Sequence, residues 1–144
     1  MAVMRDRPYG NSNFLVNFGA GDNRSVTAGF SEVIFPSFAA DPAESKQNQG
    51  AGSPDAVGNQ LVLKRGLIGS LDLYAWWNKA RRGKAPQRRT LIIELLSEDH
   101  STVVLTWCFR NVRPVSLSYS PLRAAEGGIV IETLELAFDG MEMS

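Results

Sequence analysis

Ser70-Leu-Asp-Leu-Tyr-Ala-Trp-Trp-Asn-Lys-Ala-Arg-Arg-Gly83 is the one convincing helical stretch in a chain otherwise patterned for strands. Ser70 is placed to cap the first turn, because its hydroxyl can accept from N–H groups that have no partner inside a helix. Asp72 lies at the positive end of the helix dipole, while Lys79, Arg81 and Arg82 crowd the negative end. Gly83 stands where a left-handed residue ends a helix. Leu73, Trp76, Trp77 and Ala80 follow the spacing of a single apolar stripe. Leu71, Tyr74 and Ala75 are also apolar but lie off it. A lone helix on a small sheet needs one buried face, and this one carries about a face and a half. The surplus fits either a deeply sunk helix or one that also touches a neighbouring subunit.

Outward from the helix the pattern changes to period two. Asn13–Phe18 alternates, with Phe14, Val16 and Phe18 on one face. The turn Gly19–Asn23 joins it to a second strand, Ser25–Phe35, interrupted at Gly29, so a hairpin is expected. Gln60–Arg65 is a short strand ending at Gly66. Thr90–Leu96 and Thr102–Val112 are strands around the polar turn Ser97–Ser101, a second expected hairpin. Pro114 divides Thr102–Val112 from a further short strand at Val115–Tyr119. Ile129–Phe138 is read as the last strand, with Glu132 in phase with Leu134, Leu136 and Phe138, and Asp139-Gly140 as its end. The expected fold is mainly β: an antiparallel barrel or two packed sheets of six to seven strands with one helix. Residues 1–144 form a single domain, with 1–12 as an N-terminal arm. The segment 36–59 has no apolar periodicity, and so long an irregular loop inside a compact domain calls for a use.

Formal net charge is zero, so no bulk attraction to nucleic acid or anionic membrane follows. The distribution is uneven. Lys64 to Arg89 holds eight bases and one acid, and Thr90 onward holds eight acids and three bases, which suits a subunit docking head to tail on copies of itself. No apolar run approaches the ~20 residues of a membrane-spanning helix, so membrane insertion is not expected. The N-terminus lacks the apolar core of a signal peptide. Cys108 is the only cysteine, which removes an internal disulfide and a cysteine metal cage.

No catalytic, cofactor or metal site emerges. His100 lies in a turn, and no third group is placed to orient it as a base toward Cys108. Glu132 and Glu135 have opposite strand parity, so they do not form a carboxylate pair. Gly50-Ala-Gly52 opens no helix and cradles no phosphate. The bases at Arg81–Arg89 beside Trp76 and Trp77 resemble a single-strand binding surface. The tryptophans, however, occupy the core-facing stripe.

Taken together, several fragments resemble the tail tube proteins of contractile phage tails and related contractile injection systems. They are Pro8-Tyr9 with Asn13-Phe14-Leu15-Val16, Ala28-Gly29-Phe30-Ser31-Glu32-Val33, and Leu63-Lys64-Arg65-Gly66. The helix start Leu71–Trp77 is similar to the family's Asp-Leu-x-x-Trp segment, and Trp107–Pro114 and Ile131–Gly140 complete the order. The departures are Phe138, where the family often has His, and the long Ala39–Asn59 insertion. The resemblance implies hexameric rings stacked into a hollow inner tube within a sheath, ending at a baseplate and spike and at tube-terminating proteins. DNA or protein cargo would pass through the lumen, and the subunit would be made in the cytoplasm and reside in a virion tail or injection particle. The type VI secretion tube protein is a structural cousin. On this reading Arg81, Arg82, Arg88, Arg89, Leu71, Tyr74, Glu132, Glu135 and Asp139 are candidate subunit contacts. Lys46, Gln47, Asn48, Gln49, Ser53 and Asp55 are candidate ring-stacking residues in the polar loop.

Overall fold

The computed structural model describes residues 2–18, 29–38, 60–83 and 88–144. Seven strands and one helix follow in order: β1 (Phe14–Phe18), β2 (Phe30–Ile34), β3 (Gln60–Gly66), α1 (Asp72–Arg81), β4 (Arg89–Leu96), β5 (Val103–Tyr119), β6 (Ile131–Ala137) and β7 (Gly140–Met143). All pairings are antiparallel, in the order β1-β4-β5-β6-β3-β2, with β7 also on β5.

β5 organises the sheet. Its first half pairs with β4 and β7, and its second half pairs with β6. Between the halves the register against β4 slips near Asn111, which takes φ +54°. A second irregularity follows Pro114. Pro lacks an N–H for the ladder and Asn tolerates the left-handed region, so bulges, not a strand end, absorb both residues. The expected break at Pro114 is thus a bend in a single 17-residue strand. The bend brings two limbs of the sheet onto a common core. Val16, Phe18, Leu91, Ile93, Phe109 and Val112 come from one limb, and Leu61, Leu63, Leu134 and Leu136 from the other.

The barrel does not close. Among the described residues β1 is paired only with β4 and β2 only with β3. The expected hairpin of 13–18 with 25–35 turns through 19–28, which lie outside the described residues. Each strand finds a partner far along the chain that can bury its apolar face. The β4–β5 hairpin forms as expected, its turn held by Ser97 N–H donating to Thr102 O at 2.9 Å and by the Asp99 carboxylate accepting from both serines. Those donors hold the Asp99 carboxyl down at about 2. Beyond the expected end at Gly140, β7 adds an edge strand to β5.

Helix α1 fills the core from one end. Leu73 and Trp76 are buried, and Trp76 meets Phe18 edge-on at 5.3 Å between ring centres. The N-cap position is Leu71, whose carbonyl accepts from Ala75, one residue later than the sequence expectation. Ser70 still contributes, since its hydroxyl accepts from the Asp72 N–H at 3.3 Å. Gly83 takes φ +75°, as the C-terminal signal requires.

The N-terminal arm is tied to the sheet. Val3 N–H donates to Val104 O at 2.8 Å, on the edge of β5 that Ser144 extends through its two hydrogen bonds with Thr106. Arg5 holds the arm: its guanidinium lies over Tyr9 at 3.8 Å, donates to the Pro8 carbonyl and forks onto the Glu98 carboxylate.

Candidate assembly interface

Helix periodicity decides what α1 presents outward. With Leu73 and Trp76 turned into the core, Leu71, Tyr74 and Ala75 are exposed, and Arg81 and Arg82 extend the same outer side at the C-terminal turn. Tyr74 and Trp77 lie 6.1 Å apart, and the Arg81 guanidinium caps Trp77 at 5.3 Å. The outer side is therefore apolar and aromatic at one end and cationic at the other. Trp76, sunk against Phe18, is not available to stack on nucleic acid bases.

The remaining candidates fall in different settings. Arg89 is half-buried, with its guanidinium 4.9 Å from the centre of the Trp76 ring. Arg88 and Asp139, expected to face other subunits, meet each other at 3.4 Å. Asp139 also accepts from Arg113 at 3.0 Å, and that hydrogen bond leads the causes holding its carboxyl below the usual range. Glu135 points to the face opposite the core, across from Val62. Lys46, Gln47, Asn48, Gln49, Ser53 and Asp55 lie outside the described residues.

Glu132 is a correction. It is 1% exposed and bonded to Arg65, itself 0% exposed, with Nε donating to Oε1 at 2.8 Å. Glu132 is therefore an interior acid and not a surface contact. The reason is topological: β3 and β6 pair with Arg65 opposite Glu132. The ladder continues to Phe30 on one side and Tyr119 on the other, and the Tyr119 hydroxyl donates to Glu132 Oε2 at 3.0 Å. The uneven charge of the sequence is thus partly cancelled inside the chain, by Arg65 with Glu132 and by Arg88 with Asp139. Arg65 and Tyr119 were not singled out from the sequence. The signal was present: Arg65 is in phase with Leu61 and Leu63, as Glu132 is with Leu134 and Leu136. A charge locked into a core-facing phase demands a partner.

Among the described residues, no three His, Cys, Asp or Glu side chains are grouped to hold a metal. No helix there is long and apolar enough to cross a membrane. His100 sits at φ +65° in the exposed β4–β5 turn. A cleft of about 550 Å³ opens between the arm and the β1 and β2 edges, floored by Phe14, Val33, Ile93 and Trp107.

Residues 10–142 match the T4-like virus tail tube protein gp19 family. No curated protein matches the chain significantly. Among solved structures, a chain of the extended sheath–tube complex of an extracellular contractile injection system (PVC) is 21% identical, with a TM-score of 0.70 over 95% of this chain and 91% of that one. A chain of the anti-feeding prophage tube-terminating cap is 19% identical, with a TM-score of 0.74 over 100% of this chain and 95% of that one. Hcp1 from Flavobacterium johnsoniae is 12% identical, with a TM-score of 0.59 over 92% and 94%. At these identities the likeness shows the fold.

Proposed function

This chain belongs to the T4-like virus tail tube protein family, and we propose that it works as the repeating subunit of stacked hexameric rings that build the hollow inner tube of a contractile particle. The subunit itself is structural, a tube protein of contractile tails and injection systems. The observation that carries the proposal is the open sheet. β1 and β2 each keep one side without a ladder partner among the described residues, and α1 presents Leu71, Tyr74 and Ala75 to the outside. Unpaired edges and an exposed apolar helix side are liabilities in an isolated monomer. In a ring, where each subunit offers two different surfaces to two neighbours, they become contacts.

Arg81, Arg82, Arg88 and Arg89 on one side, with Glu135 and Asp139 on the other, are the charged elements of this interface. Arg88 and Asp139 take part from within their own exposed ion pair. The loop holding Lys46, Gln47, Asn48, Gln49, Ser53 and Asp55 is assigned to stacking between rings. A sheath outside, a baseplate and spike at one end, a terminator at the other, and DNA or protein cargo in the lumen complete the set of partners. The related structures are a sheath–tube complex, a baseplate and a tube-terminating cap, which supports that set. The particle is a phage tail or an injection system.

Negative-stain imaging and sizing of the purified protein test the proposal. Rings or tubes are expected from the wild type, and Arg81→Glu with Arg82→Glu should reduce tube length and yield. A wild type that remains a monomer at high concentration, or a charge-reversed variant with unchanged tubes, would refute it.

A further inference from the structure

Arg65 is entirely excluded from water, yet only one of its guanidinium nitrogens is accounted for. Nε donates to Glu132, while Nη1 and Nη2 are buried without a hydrogen-bond partner among the described residues. The Phe30 ring lies 5.4 Å from the guanidinium carbon and offers no oxygen acceptor. The second oxygen of Glu132 is already taken by the Tyr119 hydroxyl. The pair is electrically neutral but carries a surplus of donors. Burying donors without acceptors is costly, and native interiors rarely leave them so.

The place of this defect matters. The row Phe30–Arg65–Glu132–Tyr119 crosses the sheet at the end where β3 leaves for α1 and β5 leaves for β6. Exposed apolar side chains surround that end: Leu67 and Ile68 after β3, Tyr74 on α1, and Ile129 before β6, whose side chain reaches to 3.7 Å of a Cβ position on Gly66. Tyr119 is half exposed there and touches the ion pair directly. Arginine and tyrosine are enriched among the residues that carry interface energy.

We propose that Arg65 is an assembly receptor, whose Nη1 and Nη2 donate in the assembled tube to an oxygen acceptor supplied by a second copy of this chain. Because Glu132 already neutralises the guanidinium, the acceptor that fits is a neutral one, a backbone carbonyl of a loop or strand end. Two such oxygens side by side match the planar fork of arginine and not the point charge of lysine. Tyr119, on the solvent side and tied to Glu132 by its hydroxyl, is the side chain whose rotation admits the neighbour. Tyr119 is thus a positioning residue for the receptor. The inference rests on the tube reading of the preceding subsection, and its test separates the two.

The direct test is a cryo-EM map of the wild-type tube at side-chain resolution. An oxygen of an adjacent copy within hydrogen-bond distance of Nη1 or Nη2 is expected. Nitrogens met only by water or by their own chain overturn the receptor while leaving the tube intact; absence of tubes overturns the tube reading itself. Arg65→Lys supplies a solution readout, since it keeps a cation opposite Glu132 and removes the fork. Folded protein with at least tenfold less subunit in tubes is expected, and undiminished tube yield would overturn the receptor. Should Arg65→Lys fail to fold, Tyr119→Phe keeps the ring and removes only the hydroxyl tether. It should fold, and with the tether gone the ring turns aside more readily, so its tubes should assemble severalfold faster; an unchanged rate overturns the positioning role.

Discussion

Arg65 on β3 and Glu132 on β6 are direct ladder partners, and their 2.8 Å ion pair is shut off from water on both sides. Removing one partner would strand a buried charge. Glu132→Ala should therefore destabilise the fold by about 3–5 kcal/mol. The apolar double variant Arg65→Met with Glu132→Leu should cost much less, because it removes both charges together. Denaturant unfolding of the disassembled subunit measures both, and a Glu132→Ala loss under about 1 kcal/mol would show that the charge is not desolvated in solution.

The two sides of α1 should separate stability from assembly. Leu73 is fully buried, so Leu73→Ala should cost about 2–5 kcal/mol. Tyr74 is exposed, so Tyr74→Ala should alter stability by only about 0.5 kcal/mol while reducing tube formation. Melting curves set beside electron micrographs decide this; a large drop in Tm with Tyr74→Ala would place the tyrosine in the subunit's own core.

The arm should release in acid. The hydrogen bond from Arg5 is the leading cause holding the Glu98 carboxyl at about 2 in place of the ordinary 4.5. A folded-state pKa below the unfolded value means the latch contributes fully above about 4.5 and is lost as pH falls through about 2. The Val3 amide, which donates to Val104, reports it. Its hydrogen-exchange protection, measured against an unstructured peptide at each pH, should persist at pH 5 and vanish near pH 2. Arg5→Ala should remove it at neutral pH; protection that survives this substitution would mean the backbone bond suffices.

Asp139 gathers Arg88 and Arg113 at the β6–β7 corner. The carboxylate is half exposed, so solvent screens the pair, and Asp139→Asn should cost about 1 kcal/mol or less. Its contribution is present above the ordinary carboxylate range and fades as pH falls through the lowered value. A larger stability loss at neutral pH would show that Arg113, only 13% exposed, depends on this carboxylate.

Deletion of Gln47–Ser53, which lies in a sequence stretch without apolar periodicity, should leave the subunit folded. Rings should still form and stacking should fail. Long tubes of normal appearance from this variant would remove the loop from the stacking contact.

Local pattern alone fixed much of this protein. Period-two alternation in 13–18, 60–65 and 90–96 identified strands, and the 3.6-residue stripe Leu73, Trp76, Trp77 and Ala80 identified the inner side of α1, although only Leu73 and Trp76 are buried and Trp77 and Ala80 are partly exposed. Gly83 marked its end, because such signals act within one turn or one strand. Family order likewise lay in the fragments from Pro8 to Gly140. Tertiary structure decided the rest. Only strand pairing could show that Pro114 bends β5 without ending it, that β1 joins β4, and that a seventh strand follows Gly140. Likewise, only pairing could turn Glu132 from an expected surface acid into the partner of Arg65, 67 residues away. Periodicity tells which way a side chain points along its own strand. What it meets there depends on which distant strand lies opposite, and that is settled by burying the apolar faces of the whole sheet at once.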